Sequence, residues 1–386
     1  MTNASDSAQD APIGALCWEN WKGFEASTDP PVGAYMRAEE ANLLSDVSFN
    51  GGLIETIGPY TLFNLISHGA TSLAESLALR YSLHLPEQSH TVEIPEKPAT
   101  DSWLGLTLDE EVSALLSLFL SIRIRSAGVT RQFPVDSDDP AGTPVAYSRV
   151  RPELALSQRR ILPRVSRPRA FLGDVPELLG RLPTLNASES VALTRCAHQY
   201  QMAVWVADSD PELAWLQLVS AVEVAATHWR GQKVDAVAGL KELYPKIVGK
   251  LNDEEQVKFV ARQLKKLIGS TQRFLDFMEE FDPGPPVERC EEHFQISWTD
   301  LRRRLTLVYR YRSNRLHSGE PFPPVMNQEP MASDQGAGWY ERPFGVAHFA
   351  GSTQWPSDAI PMYLWFFERL VQGALLRWYR ESLGSG

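Results

Sequence analysis

The sequence predicts a mainly α fold. A helical bundle over residues 186–386 is preceded by a mixed α/β N-terminal domain, of no nameable fold, over residues 1–185. Three observations predict it. After Asn186, apolar residues recur at steps of three and four through successive long windows. Between Ala127 and Leu185 that pattern is broken by eight prolines, Pro134 to Pro183. The charge is uneven: residues 1–120 hold 4 Lys/Arg against 17 Asp/Glu, and residues 121–386 hold 33 against 31.

The elements are expected as follows. Residues 1–30 form a polar start, partly ordered by Trp18 and Trp21. Residues 58–85 show helical apolar spacing behind a Gly-Pro start, and residues 88–97 read as a short extended segment. Thr107 and Glu110 form a capping box that opens a second helix running to about Arg125. Ala127–Leu185 is a connecting arm with seven arginines from Arg149 to Arg169, which either face RNA or pair with the acidic N-terminal part. Helices then follow at 187–207 and 210–229, the latter with Ser209 as N-cap and Pro211 in its first turn. That helix is apolar nearly all round, which predicts a central place in the bundle. Further helices are expected at 234–250 and 253–280, stopped by Asp282-Pro283-Gly284-Pro285-Pro286. Thr299 caps a helix from Asp300 to about His317, with Leu301, Leu305, Val308, Arg312 and Leu316 on its inner stripe and Gly319 at its end. After a long loop, a strongly apolar helix over about 357–381 closes the bundle.

At 386 residues two domains are expected, and 43% hydrophobic with 22% charged residues is a globular composition. The longest apolar run, Val112–Ile122, is too short to span a bilayer, so no membrane association is expected. The start MTNASDSAQD lacks the features of a signal peptide. Three widely spaced cysteines, Cys17, Cys196 and Cys290, point to a reducing, cytoplasmic setting without a disulfide framework. No Cys/His spacing suggests a metal, and no cofactor is expected.

The chemistry concentrates in Tyr309-Arg310-Tyr311-Arg312-Ser313-Asn314-Arg315-Leu316-His317-Ser318-Gly319. Arg312 offers a rigid cationic fork suited to a phosphate, and His317 a group that exchanges protons near neutral pH. Ser313 and Asn314 can position a phosphate or the histidine. Glu223, in the nearly all-apolar helix, needs a partner if it faces inward, and Arg312 is the candidate. With Arg302 and Arg303, the residues Arg304, Arg310 and Arg315 complete six arginines on this helix, an electrostatic footprint for a phosphate backbone.

The order of a Leu216–Glu223 helix followed by this arginine–histidine helix resembles the HEPN domain family, in particular its Apea-like group. The resemblance covers residues 187–386. Four residues separate Arg312 from His317, within the family's spacing, and Ser313 fills its polar slot. Ser318 departs from the pattern by separating the histidine from the glycine. The resemblance implies a metal-independent endoribonuclease in which two protomers share one cleft, with Arg312 and His317 as catalytic residues. It also implies an effector role in prokaryotic antiviral or toxin-like defence, held off by the N-terminal domain until a trigger ligand or protein arrives. The alternative is a non-catalytic scaffold module that dimerises or binds a nucleotide. On Arg312 and His317 alone, cations near a helix C-terminus also suit the macrodipole.

Overall fold

The computed structural model describes residues 13–27, 37–49, 54–65, 73–85, 103–133, 140–146, 151–154, 159–231, 236–251, 253–334 and 338–384. Among them the chain is mainly α, with an antiparallel sheet in the N-terminal part.

That sheet has the strand order β3-β4-β5-β1-β6-β7. It comprises β1 (Ala38–Ser45), β3 (Ile54–Ile57), β4 (Tyr60–Asn64), β5 (Ala74–Ser82), β6 (Ile124–Phe133) and β7 (Thr143–Pro144), while β2 (Ser48–Phe49) pairs separately with β8 (Arg169–Ala170). The helix expected over 58–85 is therefore replaced by β4 and β5, paired with Tyr60 opposite Tyr81 and Leu62 opposite Leu79. These four side chains are buried and alternate along their strands, so the two-residue period outweighs the helical propensity of the Ala- and Leu-rich stretch. The expected extended segment at 88–97 lies outside the described residues.

Helix α1 (Leu16–Ala26) buries Cys17 and Trp21. Helix α2 (Leu108–Leu120) opens with the expected Thr107–Glu110 capping box. It ends five residues earlier than expected: Ser121 takes a left-handed conformation at φ 51° and turns the chain into β6. The helix is buried almost all round, between the sheet and the bundle.

The bundle begins at α4 (Ala187–Val206), after the short α3 (Val175–Gly180). Asn186 caps α4 by accepting from Glu189 N at 3.0 Å, and Glu189 accepts from Asn186 N in return. Helix α5 (Pro211–Arg230) is capped by Asp210, one residue after the expected Ser209. It packs against α4, α9, α10 and α11, the central place its sequence predicts. There Trp215 is fully buried, with ring centroids 4.9 Å from Phe367 and 5.7 Å from Phe322. The two helices expected at 234–250 and 253–280 are each divided. They form α6 (Ala236–Leu243), α7 (Pro245–Val248), α8 (Glu254–Gln263) and α9 (Lys265–Glu280), with breaks at Tyr244 and Leu264.

Helix α10 (Leu301–Ser318) carries the arginine–histidine segment. It is preceded by a 3-10 turn at Trp298–Asp300, so Asp300 rather than Thr299 flanks its start. Gly319 ends it at φ 69°, a left-handed position that glycine takes without a Cβ penalty. The hairpin β9 (Ala347–Ala350) and β10 (Thr353–Pro356) lies within the following loop. Helix α11 (Leu364–Glu381) closes the bundle with Trp365, Phe366, Phe367, Trp378 and Tyr379 buried.

One contiguous core runs from Ala15 to Leu383, across both sides of the α4 start. Two buried charge networks cross the same line. Arg123 bridges Asp46 at 2.7 Å and Asp208 at 2.6 Å. Glu368, fully buried on α11, receives Ser121 Oγ at 3.0 Å, Arg164 Nη2 at 3.1 Å and the Tyr200 hydroxyl. Arg167 donates to Leu120 O at 2.5 Å and Arg151 pairs with Glu75 at 3.3 Å. These arm arginines thus hold the chain to itself, whereas Arg149 lies outside the described residues.

Candidate functional site

The site is built where α5, α9 and α10 meet. Tyr309 and Arg312, three residues apart and so neighbours on the helix surface, both reach Glu223 of α5. The Tyr309 hydroxyl donates to Glu223 Oε1 at 2.6 Å, and Arg312 Nη2 donates to Glu223 Oε2 at 2.5 Å. The Arg312 and Glu223 side chains retain 17% and 23% of their exposure, so the pair is shielded but reachable. Arg312 also lies 5.5 Å from the Tyr309 ring centroid, and its Nε is buried with no hydrogen-bond partner. Burial and the Glu223 carboxylate hold the Tyr309 hydroxyl well above its usual pKa, so it stays a donor.

His317 is exposed, with no hydrogen-bond partner among the described residues. Five residues along an α-helix amount to about 7.5 Å of rise and a turn of about 140°, so Arg312 and His317 of one chain point different ways. The α10 segment thus presents a clamped arginine towards α5 and an exposed histidine at its outer end. Ser313 is partly buried beside Arg312, and Asn314 donates to Glu320 Oε2 at 2.8 Å.

The arginine footprint is largely spent inside the molecule. Arg302 pairs with Glu242, Asp276 and Glu279, and Arg303 with Asp300, whose carboxyl is held below its usual pKa first by that hydrogen bond. Arg304, expected at the RNA surface, is instead buried; it donates to Pro361 O at 2.6 Å and to Ile360 O at 3.3 Å. It pins the segment leading into α11, because a charge at that depth needs fixed acceptors. Arg315 pairs with Glu212 at 2.7 Å. Through this contact Arg315, not Leu316, faces α5 in the last turn, and Leu316, expected on the inner stripe, is 52% exposed. Arg310 is exposed, 5.6 Å from the Tyr311 ring centroid, and has no carboxylate partner among the described residues.

A cavity of about 250 Å³ opens beside Glu223, lined also by Ala226 and Thr227 of α5 and by Ser270 and Arg273 of α9. A larger one of about 540 Å³ lies near the end of α10, bounded by Arg159, Glu212, Phe322 and Asn327 among others. Among the described residues no group of three or more His, Cys, Asp or Glu is placed to hold a metal ion, and no helix is long and apolar enough to cross a membrane.

No family model, curated protein or solved structure matches this chain.

Sequence reasoning missed Tyr309 as the second holder of Glu223, Glu212 as the partner of Arg315, and the α9 wall. The first was legible as a Tyr-x-x-Arg step on the inner stripe. The others depend on which helices meet, which no local pattern encodes.

Proposed function

We propose that the chain is a metal-independent endoribonuclease of HEPN type, with Arg312 and His317 as its catalytic residues and single-stranded RNA as substrate. The observation that carries this reading is the fixed Glu223–Tyr309–Arg312 set on the same helix as an exposed His317, which has no hydrogen-bond partner among the described residues. A rigidly held arginine stabilises charge growing on a phosphorane without having to reorganise. A solvated histidine takes or gives a proton near neutral pH.

The reaction balances as follows. The ribose 2′-oxygen attacks phosphorus and loses its proton to one histidine. The bond from phosphorus to the 5′-oxygen breaks, and a second histidine protonates that oxygen. The products are a 2′,3′-cyclic phosphate and a 5′-hydroxyl. Two histidines require two copies of the chain, which a homodimer with the outer ends of α10 at its twofold axis supplies. The setting, an effector in prokaryotic antiviral or toxin-like defence restrained by its N-terminal part, rests on the family resemblance alone.

A second reading is favoured by a specific observation: Arg312 is already neutralised by Glu223, and Arg302, Arg303, Arg304 and Arg315 are also paired. On this reading the bundle is a non-catalytic dimerisation or nucleotide-binding scaffold. Cleavage assays separate the two. The ribonuclease reading expects Arg312→Ala and His317→Ala each to slow cleavage by about 10²-fold, whereas the scaffold reading expects no cleavage that either substitution alters.

A further inference from the structure

The cavity between α5 and α9 is not explained by the arginine–histidine pair. Its α5 wall is Glu223, Ala226 and Thr227, three positions on one helix face, and its α9 wall is Ser270 and Arg273. Arg273 is partly buried and has no carboxylate partner among the described residues; its Nη2 donates weakly to Ser270 Oγ at 3.5 Å. Two acids on these helices, Glu223 and Asp276, already have partners. Both Glu223 oxygens are occupied by Tyr309 and Arg312, and Asp276 is bound by Arg230 at 2.5 Å and by Arg302 at 3.1 Å. The cavity wall therefore holds one carboxylate, whose oxygens are bonded to Tyr309 and Arg312 of α10, and one guanidinium with no carboxylate partner among the described residues. It also offers the hydroxyl of Thr227, while Ser270 is engaged with Arg273.

We infer that this cavity is a phosphate subsite, in which Arg273 and the hydroxyl of Thr227 bind a backbone phosphate of single-stranded RNA. A guanidinium fork with a flanking hydroxyl is a donor set that a tetrahedral oxyanion takes. The volume exceeds that of a phosphate group alone and leaves room for its sugar. The subsite lies against the Glu223–Arg312 pair, so a strand seated there passes the catalytic arginine. The identity of the ligand rests on the ribonuclease reading; the anion site itself does not. Arg273 is here a binding residue, not one that touches the reacting bond.

The test uses the full-length chain and an RNA oligonucleotide with 2′-O-methyl sugars, which lacks the attacking hydroxyl. Its Kd is measured at several salt concentrations for the unsubstituted protein and for Arg273→Ala and Arg273→Lys. The expected result is at least a tenfold weaker Kd for Arg273→Ala, with a salt slope smaller by roughly 0.7, the share of one single-strand phosphate. Arg273→Lys should fall between the two, since it keeps the charge and loses the fork. Because the 2′-O-methyl oligonucleotide cannot be cleaved, this result stands apart from the fate of the cleavage reading. Equal affinity for Arg273→Ala and the unsubstituted protein would overturn the subsite. Arg273-dependent binding of adenosine monophosphate or inorganic phosphate, with RNA affinity unmoved, would overturn RNA as the ligand and assign the cavity to a free phosphate compound. A circular dichroism melt of each variant confirms that the folded states compared are the same.

Discussion

Arg312 of α10 and Glu223 of α5, 89 residues apart in sequence, meet at 2.5 Å, and Tyr309 holds the other carboxylate oxygen. The pair fixes the arginine's direction and also sets its charge, because a guanidinium bonded to a carboxylate attracts a phosphate less than a solitary one does. On the ribonuclease reading, the site's reactivity therefore depends on α5 as much as on α10.

Glu223→Gln should keep the packing and remove the negative charge. The expected outcome is tighter binding of an uncleavable RNA, with slower cleavage as Arg312 loses its fixed aim. Glu223→Ala should also lower stability by about 1–3 kcal/mol, the scale for a charged hydrogen bond left without its acceptor. Denaturant unfolding and oligonucleotide titration check both.

Arg304 and Arg310 should behave oppositely. Arg304→Ala removes the donor to Ile360 O and Pro361 O, so it should lower the melting temperature and leave RNA affinity of the folded protein unchanged. Arg310→Ala should leave the melting temperature unchanged and reduce the salt slope of RNA binding by roughly 0.7. Thermal melts and salt-dependent binding distinguish them.

Much of the bundle is readable along the chain because its helices carry their own punctuation. Asn186 with Glu189, the Asp210-Pro211 start and Gly319 each state a boundary in adjacent residues. The sheet is not readable in that way. Ala74, Leu77, Ala78 and Leu79 favour a helix by composition, and only pairing with β1 and β4 makes them a strand. The turn at Ser121 carries no glycine to announce it. In the site, the arginine–histidine spacing and the need for a Glu223 partner were legible. Which arginines would be consumed by Glu212, Glu242, Asp276 or backbone carbonyls was not, since these partners come from distant segments.

Glu111 gives the protein a pH-dependent stability. It is buried on α2, accepts from Cys17 N of α1 at 2.8 Å, and burial pushes its carboxyl up to about 7. A folded pKa above the unfolded one contributes stability that is full below the unfolded value and is lost as pH rises through about 7. The melting temperature should therefore fall between about pH 5 and about pH 8, and Glu111→Gln should flatten that fall. Melts across this range for both proteins provide the check.

If two histidines act on one phosphate, catalysis depends on pairing. When His317→Ala protein is mixed with an equal amount of unsubstituted protein and allowed to exchange, random pairing leaves about a quarter of the dimers with both histidines. Activity should then fall to about that fraction. A fall to half would mean that each chain acts alone. Light scattering on the same samples gives the mass of the species that carries the activity.

The most direct measurement is the cleavage of end-labelled single-stranded RNA by the purified chain in the presence of EDTA, with the new ends identified. The account predicts cleavage at the same rate with and without the chelator, 2′,3′-cyclic phosphate ends, and a rate about 10²-fold lower for His317→Ala. Cleavage abolished by EDTA and restored by magnesium, or a His317→Ala protein as fast as the unsubstituted one, would contradict it.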